Sequence, residues 1–375
     1  MVAPNYTSAT IGARQPSWES ALSLELLRRQ IDEIDRQILH LLNERGKLSL
    51  KVRDTRQATG DATVFAPHRE SELVGRLERE NPGPLRPEHL RAIYREILSA
   101  SRDLQRPLRI AFLGPAATFG NAAAIARFGH AAEYVPAASI SDVFVEVQRG
   151  GAEYGVVPVE NSTEGSVHET LDQLIDTELK VCAEVTIPVV QNLLALGDRA
   201  AIKVVYSKDN ALAQCRGWLA RNLPGREQVA VVSTARAAEM AAADPTAAAI
   251  APALAAEVYG LRILDSGIQD IANNWTRHLV IGRTSSERAM GHDRTFLVFS
   301  IKDRVGVLRD VINAFSDRGV NLASIQSRPS RRRAWDYVFF VELDGHVAEE
   351  RVRTALEAAE RHTVFMKVLG AWPRA

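Results

Sequence analysis

The chain has 375 residues, 46 of them Lys or Arg and 46 Asp or Glu, so its formal net charge is zero. Hydrophobic residues make up 46% and charged residues 25%, ordinary globular usage, and at roughly 100–200 residues per domain the length suits two to four domains. A neutral chain lacks the basic excess of a nucleic-acid coat or a general membrane-surface binder, while small anionic ligands stay open because local clusters hide inside a neutral total. Residues 1–20 carry Pro, Ser, Thr, Asn and Gly without the ~7–15-residue apolar core of a signal peptide, which predicts a disordered tail. From Ser23 the pattern turns helical: Leu24, Leu27, Ile31, Ile34, Ile38, Leu41, Leu42 and Leu48 recur at three- and four-residue spacing. No proline falls between Leu22 and Ala66, so a first helix of more than ~30 residues is predicted, long enough to need a partner helix. Gly60-Asp61 and Pro67 break it, and two shorter helices follow over Pro67–Glu80 and Glu88–Gln105, joined by the Pro/Gly connector Asn81–Pro87. Three helices of such unequal length make a poor monomeric core, so the apolar stripe of the first calls for a second subunit.

Pro107 closes this block and β/α alternation begins. Strands are predicted at Arg109–Leu113, Tyr154–Val157, Val204–Tyr206, Ala248–Ala251 and His278–Ile281 with helices between them. That alternation implies a mainly parallel sheet covered on both faces, with ligands at strand C-terminal ends. The linker Thr284–His292 leads to a third block. There the order is strand (Thr295–Ile301), helix (Gly306–Arg318), two strands (Asn321–Ser327 and Ala334–Leu343), helix (Ala348–Arg361) and strand (Val364–Leu369). This βαββαβ order is the ferredoxin-like split-βαβ pattern. The expected domains are therefore 21–106, all-α; 108–284, α/β; and 294–375, α+β. Cys182 and Cys215 are too few for a disulfide scaffold and suit a reducing cytosol. The nine histidines show no ligand spacing, which predicts no metal site, and no apolar run approaches the ~18–20 residues of a membrane span.

The first block holds 14 Arg against 2 Lys from Ser20 to Arg106, but the whole chain holds 39 Arg and 7 Lys, so abundance is no site signal. Position is more telling. Arg28 and Arg45 lie 17 residues apart on one predicted helix. That is about 25 Å at ~1.5 Å per residue, so both reach one small ligand only if one comes from a partner chain packed antiparallel. Arg69-Glu70 open the second helix, and Ser101 and Gln105 share a face of the third at i, i+4. The runs LRRQIDEIDRQILHLLNERGKL, HRE and SASRDLQ resemble the all-helical chorismate mutase family, whose fold is an intertwined helical dimer. The resemblance implies a Claisen rearrangement of the dianion chorismate to prephenate. By position it implies that Arg28 of the partner copy, Arg45 and Arg69 hold the two carboxylates, a task suited to bidentate guanidinium pairing. It further implies that Glu70 accepts from the ring hydroxyl, that Ser101 lines the site, and that Gln105 donates to the ether oxygen where negative charge grows. Arg56 stands where the family places a lysine beside that oxygen, a planar fork in place of a point charge. This departure leaves open a dehydratase with a weakened or inactive mutase.

In the second block GPAATFGNAAA (Gly114–Ala124) follows a strand and opens a helix, a turn able to cradle an anion on backbone N–H groups, yet it matches neither glycine-rich nucleotide motif. VVPVENSTEGSVHETLD (Val156–Asp172) crowds polar groups at a strand end; a capped loop is the plain alternative. VYSKDNALAQC (Val205–Cys215) sets Ser207 at a strand end and Gln214 on the following helix, and GIQDIANNWTRHLVIG (Gly267–Gly282) sets Thr276-Arg277 at the start of a strand. Together these resemble prephenate dehydratase from Arg109 to Arg283, a fold of two α/β lobes with the active site in the cleft between them. The resemblance implies conversion of prephenate to phenylpyruvate with loss of water and CO2. Thr276 matches the proton donor to the leaving ring hydroxyl, and Asn161, Ser207 and Gln214 match residues that line the site, with Glu160 and Arg277 in the same motifs. A hydroxyl is a poor acid, so Thr276 must act by placement in a dry cleft and not by pKa matching. Three positions depart from the family. His278 replaces the usual phenylalanine, either relaying protons near neutral pH or packing in the ring's place. Lys208, in Ser207–Asn210, either adds a cation or is solvated. Gln191 replaces a common histidine.

In the third block DRVGVLRDVINAF (Asp303–Phe315), GVNLASIQSRPSRRRAWDYVFFVELDGH (Gly319–His346) and KVLGAWP (Lys367–Pro373) resemble the ACT regulatory domain, which binds phenylalanine between paired domains. By that resemblance the effector meets the turn at Gly306, Val307 and Leu308, where backbone N–H groups can receive a carboxylate, together with Asn321, Gln326 and Ser327. Gln326 replaces the usual acidic residue and so removes a charge that would meet an ammonium. Arg331–Arg333 reads as a solvated hairpin tip. In this order the three blocks resemble the bifunctional chorismate mutase/prephenate dehydratase family, the P-proteins of phenylalanine biosynthesis. The resemblance implies two consecutive steps with chorismate and prephenate as substrates and phenylalanine as feedback inhibitor. It implies no cofactor and no nucleic-acid or membrane partner, in a cytoplasmic homodimer or tetramer. Two competitors stand beside it. One is a prephenate-processing enzyme of altered outcome, which the presence of Thr276 argues against. The other is a non-catalytic amino-acid sensor, which the set Asn161, Ser207, Gln214 and Thr276 argues against.

Overall fold

The structure, a computed structural model, describes residues 18–60, 64–286, 288–302, 304–329 and 337–374. It divides into two compact bodies, one ending at Asp61 and the other beginning at Ala62. The first is a single helix of 42 residues, α1 (Trp18–Thr59). It starts inside the segment expected to be disordered, since no proline occurs between Pro16 and Pro67 to remove a helical N–H. The rest of that expected tail, 1–17, lies outside the described residues. The apolar row on α1 from Leu24 to Leu48 is between 40% and 64% exposed.

The second body opens with α2 (Pro67–Glu80) and α3 (Pro87–Gln105), each with a proline in its first turn, where a missing N–H costs nothing. Phe65, just before α2, meets Phe128 at 4.8 Å and Tyr154 at 5.0 Å between ring centroids, which seats these helices on the next layer. That layer is a first α/β lobe. Its strands are β1 (Arg109–Leu113), β2 (Glu133–Ala137), β3 (Tyr154–Asn161), the short β4 (Gly165–Ser166) and β5 (Lys180–Pro188), with helices α4 (Phe119–Phe128), α5 (Ile140–Arg149) and α6 (His168–Asp176). The chain then builds a second lobe from β6 (Asn192–Ala195), β7 (Val204–Ser207), β8 (Glu227–Ala230), β9 (Ala247–Ala251) and β10 (Arg262–Ser266) with α7 (Asp209–Gln214), α8 (Arg216–Asn222), α9 (Thr234–Ala243) and α10 (Ala253–Tyr259). It returns to the first sheet through β11 (Trp275–Gly282).

The expectation of a mainly parallel sheet needs correction, because both lobes are mixed. β1 runs parallel to β2 and β3, and β7 parallel to β8 and β9, but β11 is antiparallel to β3 and β5, and β6 antiparallel to β9 and β10. Parallel neighbours need a long crossover, usually a helix. β6 and β11, the antiparallel strands, are also the ones by which the chain passes from one lobe to the other. In the second lobe the all-buried β9 reads Ala-Ala-Ala-Ile-Ala and packs against Ala235, Ala237, Ala238 and Ala241 of α9, small side chains that let helix and sheet approach closely.

The C-terminal domain follows the expected βαββαβ order: β12 (Asp293–Ile301), α11 (Val307–Ser316), β13 (Leu322–Pro329), β14 (Tyr337–Asp344), α12 (Glu350–Glu360) and β15 (Thr363–Pro373), in sheet order β13-β14-β12-β15. The third strand is described from Tyr337; residues 330–336, with Ala334 and the expected Arg331–Arg333 tip, lie outside the described residues. One sheet face, with Leu297, Phe299, Val341 and Leu343, packs on Val311 and Phe315 of α11 and Val352 and Ala355 of α12. The other, with Phe296, Val298, Phe340 and Trp372, shares a core with Val157, Leu171 and Leu174 of the first lobe. β15 also pairs with β5 at Gly370 and Val181, so one ten-stranded sheet runs through both domains. A Cβ on Gly370 would stand 2.0 Å from the Val181 carbonyl oxygen, so only glycine closes this seam.

Candidate active site

Arg28, Arg45 and Arg56 lie on α1, Arg69 and Glu70 on α2, and Ser101 and Gln105 on α3. Because α1 is unbroken, Arg28 and Arg45 are about 25 Å apart along it, and one copy does not bring both to one small ligand. In the second body the Glu70 carboxylate pairs with Arg102 of α3 and, at 3.3 Å, with Arg127 Nη1 of α4. Both guanidiniums stack over Phe65, at 5.7 Å and 4.6 Å from its centroid. Each Glu70 oxygen thus meets an arginine and keeps a further lone pair for a ligand hydroxyl. Ser101 Oγ donates to the Ile97 carbonyl at 2.7 Å, and Gln105 Nε2 donates one N–H to the Ser101 carbonyl at 3.1 Å. Arg102 and Arg127 were invisible in the sequence because arginine is common throughout it.

The second constellation centres on β3 and β11, whose register sets Thr276 opposite Asn161 and Arg277 opposite Glu160. Asn161 Nδ2 donates to Thr276 Oγ1 at 2.9 Å and to Asn274 Oδ1 at 2.8 Å. Its Oδ1 accepts from the Thr163 amide at 2.9 Å, the Thr163 hydroxyl at 2.7 Å and the Glu164 amide at 3.0 Å. This turn fixes the amide so that its N–H groups face Thr276. Glu164 accepts from Gln214 Nε2 at 3.1 Å, and Gln214 Oε1 accepts from Gln191 Nε2 at 3.0 Å, so α7 of the second lobe meets the hairpin of the first. Ser207 differs: it is buried, and its hydroxyl donates to the Ile250 carbonyl at 2.7 Å within the second sheet. Lys208 is exposed. In the Gly114–Ala124 turn, Thr118 caps α4, Ala117 takes φ 64°, and the Ala117 amide is already held by Asn121 Oδ1 at 3.0 Å. Asn274 was missed in the sequence; it lies in the loop just before β11, two residues ahead of Thr276.

Arg277 leaves the opposite face of β11 from Thr276. Burial works against its charge, but hydrogen bonds and attraction from Glu342, then Glu184 and Glu160, hold its pKa above the ordinary value. The nearest partner, Glu342, belongs to β14 of the C-terminal domain. The same domain touches the Asn161 hairpin again: Ser166 Oγ donates to Gln326 Oε1 at 2.8 Å, and Arg328 Nη1 donates to the His168 carbonyl at 2.7 Å. Of the other residues matched to the effector site, Gly306 caps α11 with φ 86°, Val307 is buried, Leu308 is half-buried, Ser327 is exposed, and Asn321 Nδ2 donates to Asp344 Oδ2 at 2.8 Å.

A two-lobed α/β body with a threonine–asparagine pair on adjacent strands, helices ahead of it and a ferredoxin-like domain built onto its sheet defines the class: a multidomain α/β enzyme with an ACT domain. Comparison with known proteins makes this particular. The family model for chorismate mutase type II matches residues 27–106, that for prephenate dehydratase 110–286, and that for the ACT domain 295–361. A bifunctional chorismate mutase/prephenate dehydratase of Aquifex aeolicus (strain VF5) is 45% identical over 357 residues, covering 94% of this chain and 98% of the relative. A prephenate dehydratase from Arthrobacter aurescens, solved in complex with L-Phe, is 33% identical with TM-score 0.66, covering 72% of this chain and 90% of that one. GqqA, described as a novel type of quorum quenching acylase, has the same TM-score of 0.66 at 25% identity, covering 71% of this chain and 98% of that one. The chain belongs to the bifunctional chorismate mutase/prephenate dehydratase family. The acylase shows that the fold alone does not fix the chemistry, which must be argued from the site.

Proposed function

We propose that this chain converts chorismate to prephenate and prephenate to phenylpyruvate, under feedback inhibition by phenylalanine, as a cytoplasmic homodimer. The hydrogen bond from Asn161 Nδ2 to Thr276 Oγ1, at 2.9 Å, carries the reading of the second step. A hydroxyl that accepts through its oxygen keeps its proton for another acceptor, and the accepted bond polarises the O–H. In prephenate that acceptor is the ring hydroxyl. The ring carboxylate leaves as CO2, its C–C bonding pair enters the ring, and the C–O bond to the hydroxyl breaks as the Thr276 proton turns the departing group into water. Thr276 then regains a proton from solvent. Aromatisation drives the step, so the protein needs only to hold a dicarboxylate and deliver one proton. Gln214 is assigned to the second-lobe wall of the site, with Ser207 packed inside that lobe's sheet, and Glu160 and Arg277 to its support, on the face of β3 and β11 opposite Asn161 and Thr276.

For the first step the assignments are Arg28, Arg45 and Arg69 at the carboxylates, Glu70 at the ring hydroxyl, and Gln105 and Arg56 at the ether oxygen, with Ser101 beside them. The exposed apolar row of α1 supports a second copy, which supplies the Arg28 that one helix cannot bring to Arg45. The relative solved with L-Phe supports phenylalanine as the effector. The test uses prephenate as sole substrate. The wild-type chain is expected to release phenylpyruvate, more slowly with L-Phe present, and Thr276→Val to lose about 10²–10⁴-fold in kcat. A Thr276→Val enzyme with wild-type kcat overturns the assignment.

A further inference from the structure

The contact between the C-terminal domain and Arg277 is built like part of a site and not like a surface ion pair. Glu342 Oε1 and Oε2 receive Arg277 Nη2 and Nη1 at 2.5 Å and 3.0 Å, a bidentate pair, and Arg294 Nη1 reaches Glu342 Oε2 at 3.0 Å. Glu160 and Glu184 complete the ring around Arg277 at 3.2 Å and 3.4 Å. The Glu342 side chain is 4% exposed and that of Arg277 17%, so the pair is shielded from water and salt. The β3–β11 ladder shifts register between Arg277 and His278, one residue beyond Thr276, on the edge that faces β3. A bulge interrupts pairing there, so on the β3 side only the short stretch Thr276–Arg277 pairs beyond it, with Asn161 and Glu160, while pairing with β5 continues unbroken at this point.

We infer that Glu342 is a positioning residue for the dehydration step: by clamping Arg277 it fixes the strand end that presents Thr276 to the substrate. The inference rests on the reading of Thr276 as proton donor. It makes the C-terminal domain a part of the dehydratase's working geometry, since its β14 supplies the clamp. Three carboxylates, Glu160, Glu184 and Glu342, face two guanidiniums, Arg277 and Arg294. Glu342→Gln therefore leaves two against two, a balanced set that is expected to fold.

The test is a double-mutant cycle in the full chain. Glu342→Gln is expected to lower kcat on prephenate about tenfold to a hundredfold, the scale of a small misplacement of the reacting group, with KM within about twofold and the rate on chorismate unchanged. Glu342→Asp, which keeps the charge with a shorter reach, is expected to fall between it and wild type, and it carries the test should the glutamine variant not fold. The Arg277→Gln/Glu342→Gln pair is expected to be no slower than Arg277→Gln alone, because Glu342 acts through Arg277. Losses that multiply in the double variant, or a wild-type kcat in both Glu342 variants while Thr276→Val is inactive, overturn the inference and leave the reading of Thr276 standing. Thr276→Val at the wild-type rate overturns that reading itself.

Discussion

His278 stands two residues after Thr276, where a titrating imidazole would be well placed to relay protons. It is instead 2% exposed, and burial pushes its pKa down from 6.5 to about 4. The ring is neutral at pH 6–7, which favours packing over a relay. His278→Phe is therefore expected to leave the pH profile of dehydration between 6 and 7 unchanged; a profile displaced in that window would restore the relay. The same shift makes a stability statement. Below pH 6.5 the unfolded chain takes up a proton that the native chain refuses until about pH 4. The contribution of neutral His278 is thus complete above 6.5 and is lost as pH falls from 6.5 to 4, by on the order of 3 kcal/mol. Calorimetry is expected to show a flatter decline of the melting temperature across that window in His278→Phe than in wild type. The two cysteines also take their character from burial, which raises the thiols of Cys182 and Cys215 to about 12 and leaves them unreactive.

Among the elements, the seam between β15 and β5 is the most sharply constrained. Gly370→Ala drives a methyl into the Val181 carbonyl, so it is expected to part the two strands and lower stability by about 1–3 kcal/mol, read as a fall in the thermal midpoint. An unchanged midpoint would mean that the sheet does not continue across the two domains. How much of this was legible depended on what each element is made of. α2 was readable to the residue from Pro67 and its periodic face, and the C-terminal βαββαβ order from alternating apolar runs. β2 contains Pro136 and β8 reads Glu-Gln-Val-Ala; these edge strands exist through pairing with a neighbour and not through composition. The site divides the same way. Thr276, Asn161 and Gln214 stand in polar clusters at the ends of apolar runs, and the family resemblance singles them out there. Glu342 lies 65 residues from Arg277, inside a strand, and nothing local marks it as a partner. Gln326, matched to an effector contact, holds Ser166 of the catalytic hairpin in this structure, a bond that only the docking of two domains creates.

At the scale of the whole molecule, the chain joins three units whose parts depend on one another. The apolar row of α1 is exposed, and under the proposed function an antiparallel second copy is expected to cover it and to supply Arg28. Ile34→Glu with Ile38→Glu is expected to weaken self-association in sedimentation and to lower chorismate consumption by at least about tenfold, with dehydration of prephenate persisting. Unchanged association would place the subunit contact elsewhere. The zero net charge is no obstacle to two dianionic substrates, because a few placed arginines do what a global excess would do for a polymer. The most direct measurement gives the purified chain chorismate alone and follows phenylpyruvate. Prephenate is expected to appear and be consumed, phenylpyruvate to accumulate, and L-Phe to slow its formation. Chorismate converted to prephenate with no phenylpyruvate would contradict the reading of Thr276 and Asn161. Prephenate dehydrated while chorismate stays untouched would contradict the first step, with Arg56 the residue to examine.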